Sequence, residues 1–230
     1  MKVGLLLLAA GSGKRFGSEI PKQYLQVASQ PLIVHTLNSL AAEPRIAAVL
    51  PVIAEGDIWF ETSTSNHTWP FDLLKPVVGG SERSISMQRG LAALPDDIDM
   101  VAVHDAARAM PSKALLKDVL DVAQLHGAAV PGIAVHDTIK RIDAQGKVLE
   151  TPNRNSLVAV QTPQVAKRIW FEQALEKEGH RLHLHTDDAS VLEAAGFSVY
   201  ISKGDVHNRK VTTVHDMQWL ENQLMGDVSA

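Results

Sequence analysis

The first feature of the chain that could do chemistry is a glycine-rich turn with positive charges, which follows an apolar run at the start. The turn, Gly11–Gly17, carries Lys14 and Arg15, and Lys22 follows shortly afterwards. Glycines allow a positive φ and a close backbone approach, so that successive N–H groups can point at one anion. The three cations add positive charge around the same point. This combination predicts a site that binds a polyphosphate.

Two common phosphate-binding motifs do not fit this turn. A P-loop requires Ser or Thr after its Gly-Lys pair, whereas Arg15 stands there and offers no hydroxyl to hold magnesium. The dinucleotide motif G-x-G-x-x-G, counted from Gly11, would place its third glycine one residue before Gly17. That motif also expects an acid at the end of the second strand, and the strand-like run Ile46–Ile53 contains none. An ordinary turn between a strand and a helix therefore remains the alternative to a phosphate site.

The composition limits the classes to which the protein can belong. The chain has 230 residues, 45% of them apolar, which is typical of a single globular domain over residues 1–230. A net charge of −4 argues against a nucleic-acid partner, and the absence of cysteine excludes disulfides and thiolate chemistry. Because the first predicted strand begins at Lys2, we expect no signal or transit peptide, and no apolar run approaches the roughly 18 residues of a spanning helix. We therefore expect no membrane partner.

Strand-like runs alternate with helical patterns, which predicts an α/β fold with a mostly parallel sheet flanked by helices. The predicted strands are Lys2–Leu8, Ile46–Ile53, Lys75–Val78, Met100–His104, Ala128–Val135 and Phe197–Ser202. The predicted helices include Arg83–Leu94, Pro163–Lys177, Asp187–Ala195 and Val214–Leu224, besides two with apolar residues at helical spacing around Leu37 and Val119. Ser112 is the expected N-cap of the helix around Val119.

One segment, at about 136–156, interrupts this alternation. Two short stretches of alternating polarity flank the turn Asp143–Gly146, which predicts a β-hairpin. A projecting hairpin needs a surface against which one of its faces is buried. A second subunit supplies such a surface, so we expect a homodimer built through this β-arm. The alternative is a hairpin folded back on its own domain.

A carboxylate follows the fourth predicted strand, at the edge of the sheet where ligands usually bind. Asp105 could hold Mg²⁺ there, because this ion prefers oxygen ligands and substrate phosphates. Alternatively, Asp105 caps the next segment and Arg108 forms a surface ion pair. The edge of the sheet that carries Asp105 is expected to face the same crevice as the glycine-rich turn.

A second pair of glycines, Gly79 and Gly80, precedes a helix that carries Ser86. The backbone could approach a ligand closely at the glycines, and Ser86 offers a hydroxyl one turn into the helix. The structural alternative is a simple helix start with Ser81 as the N-cap. The segment can both contact a ligand and begin the helix.

The last third of the chain contains several polar junctions. The segment Asn208–Thr212 adds cations, Gln161–Gln164 offers hydroxyl and amide groups, and Thr186 is a possible N-cap of the helix after it. The histidines His180, His183 and His185 suggest a zinc site, and we expect His183 and His185 to share one strand face, but such a site also needs a defined third ligand. The sequence does not supply that ligand, so we favour a solvated surface for these histidines.

Taken in order, these segments resemble the 2-C-methyl-D-erythritol 4-phosphate cytidylyltransferase family, which uses CTP in the non-mevalonate isoprenoid pathway. The resemblance runs from Val3 to about Glu221. It rests on the ordered motifs Ala9–Arg15, Pro21–Tyr24, Gly79–Arg83, His104–Arg108, Asp137-Thr138, Gln161–Gln164, Thr186-Asp187 and Lys210–Thr212. The ribitol 5-phosphate cytidylyltransferases are close relatives with similar motifs.

The resemblance implies a Rossmann-like nucleotidyltransferase fold with a dimerising β-arm, in a cytoplasmic enzyme that transfers CMP from CTP to a polyol phosphate. It implies catalytic or phosphate-binding roles for Gly11, Arg15, Lys22, Lys210 and Arg154. It implies contacts of CTP with Ala9, Ala10, Gly80, Ser81 and Ser86. Asp105 would hold Mg²⁺, and Thr138, Thr162 and Thr186 would lie with Arg154 and Lys210 around the polyol phosphate. The arm would deliver Thr138 and Arg154 to the neighbouring subunit.

Three positions depart from the wording usual in the family. Ser81 stands where an acid is frequent, Asn153 replaces the usual Asp before Arg154, and Asp188 replaces a glutamate. None of these departures removes a cation from the predicted centre. The alternatives to the methylerythritol enzyme are a ribitol 5-phosphate cytidylyltransferase, a synthase that uses UTP or GTP, and a catalytically silent nucleotide-binding protein on the same fold.

Overall fold

The computed structural model describes residues 1–11 and 19–226. Its strands are β1 (Val3–Leu8), β2 (Gln26–Val27), β3 (Gln30–Pro31), β4 (Ile46–Ile53), β5 (Asp72–Leu73), β6 (Val77–Val78), β7 (Met100–Asp105), β8 (Ala128–Ala134), β9 (Arg141–Ile142), β10 (Val148–Glu150), β11 (Val158–Val160), β12 (Gln164–Lys167) and β13 (Tyr200–Lys203). Its α-helices are α1 (Leu32–Leu40), α2 (Trp59–Thr64), α3 (Arg83–Ala93), α4 (Lys113–His126), α5 (Arg168–Glu178), α6 (Asp188–Ala195) and α7 (Val214–Gly226). Short 3-10 turns cover Lys22–Tyr24, Arg154–Ser156 and Gly179–Leu184.

The central sheet has the order β11-β8-β12-β7-β1-β4-β5, with β13 paired to β8 and β6 paired to β4. β1 runs parallel to both β4 and β7, whereas β12 runs antiparallel to β7 and β8. The predicted mixed, mostly parallel sheet is therefore confirmed.

Helices cover both faces of this sheet, which explains why β1 is a continuous apolar run. Leu5 and Leu7 are buried on the face that packs against α1 and α4, together with Leu37 and Val119. Leu6 points to the opposite face, whose core includes residues of α3, α5 and α6. Successive side chains of a strand alternate between the faces, so one strand supplies both cores.

Two predictions at helix starts were wrong and one is confirmed. The Ser112 hydroxyl accepts the N–H of Leu115 at 3.3 Å, as expected of an N-cap. At α3 the N-cap position is Glu82 rather than Ser81, without a side-chain cap. At α6 the cap is Asp187 rather than Thr186, because Asp187 and Ser190 form a reciprocal capping box.

The predicted helix Pro163–Lys177 was wrong over its first turn. Residues 164–167 form β12, and the helix begins only at Arg168. Val165 and Ala166 are buried because β12 pairs with both β7 and β8. This long-range pairing outweighs the local helical pattern.

The predicted hairpin is confirmed within the β-arm, 136–156, where its paired strands run from Arg141 to Glu150. β9 and β10 pair with each other in a small sheet separate from the central one. Asp143 accepts the N–H of Gly146 at 3.1 Å through its backbone carbonyl, which closes the predicted turn. Most side chains of the arm are exposed.

A search of the described residues for a helix long and apolar enough to cross a membrane finds none.

We expect Gly127→Ala to destabilise the protein more than Gly196→Ala. Both glycines end helices at a positive φ, +97° and +95°, which costs an alanine about 1–2 kcal/mol. A Cβ at Gly127 would lie 2.2 Å from the ring of Trp170, which is stacked on Phe197, whereas a Cβ at Gly196 meets nothing within 4 Å. Overpacking should add about 1–3 kcal/mol at Gly127. Urea unfolding measures both losses, and equal losses would contradict the prediction.

Candidate active site

A cavity of about 400 Å³ opens where the carboxyl ends of β1 and β7 lie side by side. Leu8 and Asp105 are paired in register, so the segments after both strands begin at the same edge of the sheet. Ala9 continues next to β4, because its N–H donates to the Val52 carbonyl at 2.8 Å. The cavity is lined by residues 8–11, 22–23, 80–83, 86, 105–107, 210 and 212. This is the edge at which open α/β sheets bind their ligands.

The loop before α3 forms one wall of the cavity. A Cβ at Gly79 would lie 2.8 Å from both the Ala10 Cβ and the Ser86 Oγ, so only glycine allows the loop to approach the end of β1. The N–H of Gly80 donates to the Ser86 hydroxyl at 3.0 Å, which ties the loop to the first turn of the helix. Ser81 lies exposed at the rim. The wall therefore presents backbone and a small hydroxyl to the cavity.

Asp105 is the centre of a cluster of charges in the floor of the cavity. Its Oδ1 accepts from Arg83 Nη1 at 2.5 Å, and its Oδ2 lies 2.9 Å from Lys210 Nζ and 3.4 Å from Arg108 Nε. Arg83 also binds Asp188 Oδ2 at 2.5 Å. Three cations and two carboxylates from α3, β7, α6 and two loops thus meet at one point.

These contacts determine the charge of both carboxyl groups. Burial opposes the ionisation of Asp105, but Arg83 and Lys210 hold its pKa well below the usual range. Burial raises the pKa of Asp188, and the contact with Arg83 offsets only part of this effect. Asp105 is therefore an anion that keeps Lys210 and Arg108 at the cavity.

A buried hydrogen-bond network fixes the backbone at the end of β7. The Thr162 hydroxyl lies 2.9 Å from His104 Nδ1 and accepts the N–H of Asp105 at 3.2 Å. His104 Nε2 lies 3.1 Å from the carbonyl oxygen of Arg108, to which it donates as the neutral tautomer. Thr162 consequently donates its hydroxyl proton to His104. Desolvation lowers the pKa of His104 from 6.5 to about 4, so the ring is neutral at physiological pH.

The segment around Lys22 is anchored at three points. Gln23 Nε2 donates to the Ala9 carbonyl at 2.6 Å, and the Tyr24 hydroxyl donates to Asp57 at 2.7 Å. Lys22 Nζ donates to the carbonyl of Val211 at 2.7 Å. Val211 belongs to residues 207–213, a segment before α7 that we call the strap. Lys22 and Lys210 both line the cavity, and Lys22 is hydrogen-bonded to the residue that follows Lys210.

The structure brings most of the predicted site residues together. The cavity is lined by Ala9, Ala10, Gly11, Lys22, Gly80, Ser81, Ser86, Asp105 and Lys210. Four other predicted residues do not line it: Thr162 is buried beside Asp105, Thr186 is exposed before α6, and Thr138 and Arg154 are exposed in the arm. Arg154 donates to the carbonyl of His136 at 2.6 Å. Arg15 and Lys14 lie outside the described residues.

Sequence reasoning missed two arginines of the charge cluster. The sequence shows Arg83 only as the end of the Gly79–Arg83 motif, and Arg108 only as the end of the His104–Arg108 motif and as part of a possible surface ion pair. Arg108 is instead largely buried, and it also donates to the carbonyl of Asn208 at 2.9 Å. Their positions within motifs that contain other site residues were the available signal.

The three histidines do not form a metal site. Within residues 1–11 and 19–226 no group of three or more potential ligands is arranged to hold a metal ion. His180 and His183 belong to a 3-10 turn, so the expectation that His183 and His185 share a strand face was wrong. His185 Nε2 lies 2.9 Å from Glu178 Oε2 and links this turn to the end of α5.

We expect stability to fall as the pH decreases through the range in which His104 titrates. Because its folded pKa of about 4 lies below the usual 6.5, the folded state binds fewer protons than the unfolded state between these values. The stabilisation is complete above pH 6.5 and is lost towards pH 4, by about 3 kcal/mol. Urea unfolding of the wild type and of His104→Gln at pH 7 and pH 4 isolates the part of this loss that is due to His104. An equal loss in both proteins would refute the assignment.

Comparisons with known proteins agree with this geometry. A 2-C-methyl-D-erythritol 4-phosphate cytidylyltransferase from Clostridium perfringens is 36% identical over 221 residues, which are 94% of this chain and 96% of the relative. The crystal structure of the enzyme of that name from Thermus thermophilus has a TM-score of 0.77 at 29% identity, over 97% of this chain and 98% of that one. A 4-diphosphocytidyl-2C-methyl-D-erythritol synthase from Anaerococcus prevotii shares the fold, with a TM-score of 0.82 at 24% identity and the same coverage.

The match extends over the whole cavity. The family profile described as 2-C-methyl-D-erythritol 4-phosphate cytidylyltransferase covers residues 3–225, and all segments that line the cavity lie within this span. The chain therefore belongs to the 2-C-methyl-D-erythritol 4-phosphate cytidylyltransferase family.

Proposed function

We propose that the protein transfers CMP from CTP to 2-C-methyl-D-erythritol 4-phosphate and releases pyrophosphate. The observation that carries this proposal is the cavity at the carboxyl ends of β1 and β7, which Lys22 lines and in which Arg83 and Lys210 bind Asp105. Membership of the family supports the choice of substrates. A compartment that holds nucleoside triphosphates is required, so the cytoplasm is the proposed location.

The chemistry requires cations rather than a general base. A phosphate monoester is already an anion at neutral pH, since its second pKa is about 6. Its oxygen attacks the α-phosphorus of CTP in line, a bond to phosphorus forms, and the bond to the leaving pyrophosphate breaks. The obstacle is the repulsion between two polyanions and the charge that develops on the α-phosphoryl group. Lys22 and Arg15 would stabilise that charge, and Lys210 would hold the attacking phosphate.

The nucleoside would lie against the wall formed by the loop before α3. Gly11 and the backbone at Ala9 and Ala10 would face the triphosphate and the base, and Gly80 with Ser81 would contact cytosine and ribose. Ser86 accepts from Gly80, which leaves its hydroxyl proton as a donor for the ligand. Recognition at Ser81 would rest on backbone contacts, because Ser81 lacks the carboxylate that is frequent at this position and could accept from the cytosine amino group.

Asp105 fits a magnesium ion, since it is an ionised oxygen donor at the cavity floor and Mg²⁺ commonly takes one or two carboxylates plus substrate phosphates. When bound, the ion would supply further positive charge to the phosphates of CTP. Asp105 holds Arg83, Arg108 and Lys210 through its two oxygens. Phosphates that enter the cavity would offer these cations alternative partners.

We propose that the polyol phosphate is bound between two subunits of a homodimer. Thr138 and Arg154 lie in the arm, outside the cavity of their own chain. The arm exposes the apolar side chains of Ile142, Val148 and Leu149 at 50–56% of their surface, and a partner subunit would bury them. One nucleotidyltransferase domain would thus supply Thr138 and Arg154 to the other.

The polyol phosphate site would be completed by Thr186, which is exposed before α6, and by Thr162. Thr162 would contribute its backbone, because its hydroxyl is already engaged by His104 and Asp105.

We expect pyrophosphate release with CTP, Mg²⁺ and 2-C-methyl-D-erythritol 4-phosphate, and a kcat lower by about two orders of magnitude in Lys22→Ala. Lys113→Ala, which removes an exposed lysine at the start of α4, is the matched control and should leave kcat unchanged. Turnover of ribitol 5-phosphate alone would favour the other polyol. Faster turnover with UTP or GTP would overturn the choice of nucleotide, and near-normal kcat in Lys22→Ala would refute its role.

Complementation between inactive variants tests the shared site. Arg154→Ala keeps Lys22 in its own cavity, and Lys22→Ala keeps Arg154 in its own arm. If the arm serves the neighbouring subunit, mixing the two proteins after subunit exchange should restore about a quarter of the wild-type activity, because half of the dimers are mixed and each has one intact site. No recovery, with exchange confirmed by mass spectrometry, would place Arg154 in its own subunit's site.

A further inference from the structure

The strap, residues 207–213, contributes to the cluster of charges around Asp105 but contains no helix or strand of its own. It supplies the Lys210 ammonium at 2.9 Å from Asp105 and the Val211 carbonyl that accepts from Lys22 at 2.7 Å. Its backbone is tied to the segment after β7 through the N–H of Val211, which donates to the Ala107 carbonyl at 2.8 Å. What holds the far end of the strap therefore matters for the placement of both lysines.

The far end is held by a single carboxylate in the first turn of α7. Asp216 Oδ2 accepts four hydrogen bonds, from the N–H and the hydroxyl of both Thr212 and Thr213, at 2.8–3.0 Å. Burial opposes its ionisation, but these bonds lower the pKa of Asp216 to about 2, so the carboxylate is charged throughout the neutral range. Charge-assisted hydrogen bonds of this kind are stronger than those between neutral groups.

Further contacts connect the first two turns of α7 to the strap. Arg209 Nη2 lies 3.3 Å from Asp216 Oδ1, and its guanidinium lies 4.7 Å above the ring of Trp219. Trp219 is also stacked near His207, at 6.2 Å between ring centroids. The start of α7 thus contacts the strap at residues 207, 209, 212 and 213, on both sides of Lys210.

We infer that Asp216 is a positioning residue, which holds the strap so that Lys210 stands against Asp105 in the active site. This inference rests on the proposed function for its effect on catalysis. Asp216 itself does not line the cavity and would touch no substrate. Thr212 does line the cavity, so the contact with Asp216 reaches the cavity wall directly.

A purely structural role must be separated from positioning, because Asp216 also caps α7. Asp216 N–H donates to the Thr213 hydroxyl at 3.2 Å while the Asp216 carboxylate accepts the N–H of Thr213, which is a reciprocal cap. Thr213→Ala removes the cap hydroxyl but leaves both contacts of Asp216 to Thr212. It is therefore the matched control, expected to lower Tm by about 2–4 °C without changing kcat.

We expect Asp216→Ala to lower kcat/KM by about ten- to a hundredfold, since a small displacement of a catalytic group has effects of this size. A double-mutant cycle compares this effect with that of Asp216→Ala in the Lys210→Ala protein. There Asp216→Ala should lower kcat/KM by a factor at least threefold smaller, because the side chain through which Asp216 acts is already absent. Equal costs in both backgrounds would overturn the inference. So would an Asp216→Ala protein whose kcat/KM equals that of Thr213→Ala.

Hydrogen exchange supplies a readout that does not depend on activity. The Val211 amide donates to Ala107 and not to Asp216, yet it should exchange faster in Asp216→Ala and at the normal rate in Thr213→Ala. Unchanged exchange at Val211 in Asp216→Ala would refute the positioning role. If the wild-type enzyme released no pyrophosphate, the proposed function would fail, and this exchange experiment would still decide whether Asp216 orders the strap.

Discussion

The buried negative charge of Asp105 is the interaction on which the rest of the site depends. A carboxylate that is almost fully buried is stable as an anion only if it is paired with cations. Arg83, Arg108 and Lys210 meet this requirement, and they come from α3, the loop after β7 and the strap. A single charge thus holds together three segments that are distant in sequence. The same electrostatic demand concentrates positive charge where two phosphorylated substrates would meet.

The sheet gives this charge its position. Parallel pairing of β1 with β7 brings Leu8 opposite Asp105, so the backbone after β1 and the carboxylate lie at one edge. The small residues Gly79 and Ala10 then let the loop before α3 approach that edge. Beneath them, Thr162 connects His104 to the N–H of Asp105 and keeps the end of β7 in one conformation. The cavity is therefore bounded by hydrogen-bonded backbone on several sides, a preorganised arrangement suited to stabilising developing charge.

The strap and the arm show two ways in which irregular segments contribute to such a site. The strap is held within its own chain by the first turn of α7, through one carboxylate that gathers four donors. The arm has no such support in its own chain within the part that the structure describes, and its apolar side chains remain exposed. A segment of this kind gains most from a partner, because burial of its apolar side chains would stabilise both the arm and the dimer.

The order of the main strands and helices and the hairpin could be predicted from the sequence, because they depend on local patterns. The resemblance to the family, carried by motifs in a fixed order, implied most of the cavity-lining residues, among them Ala9, Ala10 and Lys210. Apolar runs, helical spacing and paired glycines predicted β1, α3 and the turns beside them. The tertiary structure alone decided that residues 164–167 form a strand rather than a helix, since their ladder partners lie in β7 and β8. It alone decided that Arg83 and Arg108 bind Asp105, and that the Thr162 hydroxyl is occupied by His104. The contacts of Arg83 with Asp105 and of Thr162 with His104 join residues 22 and 58 positions apart, which no local window of the sequence contains. Arg108 lies only three residues after Asp105, but its burial depends on the surrounding tertiary structure.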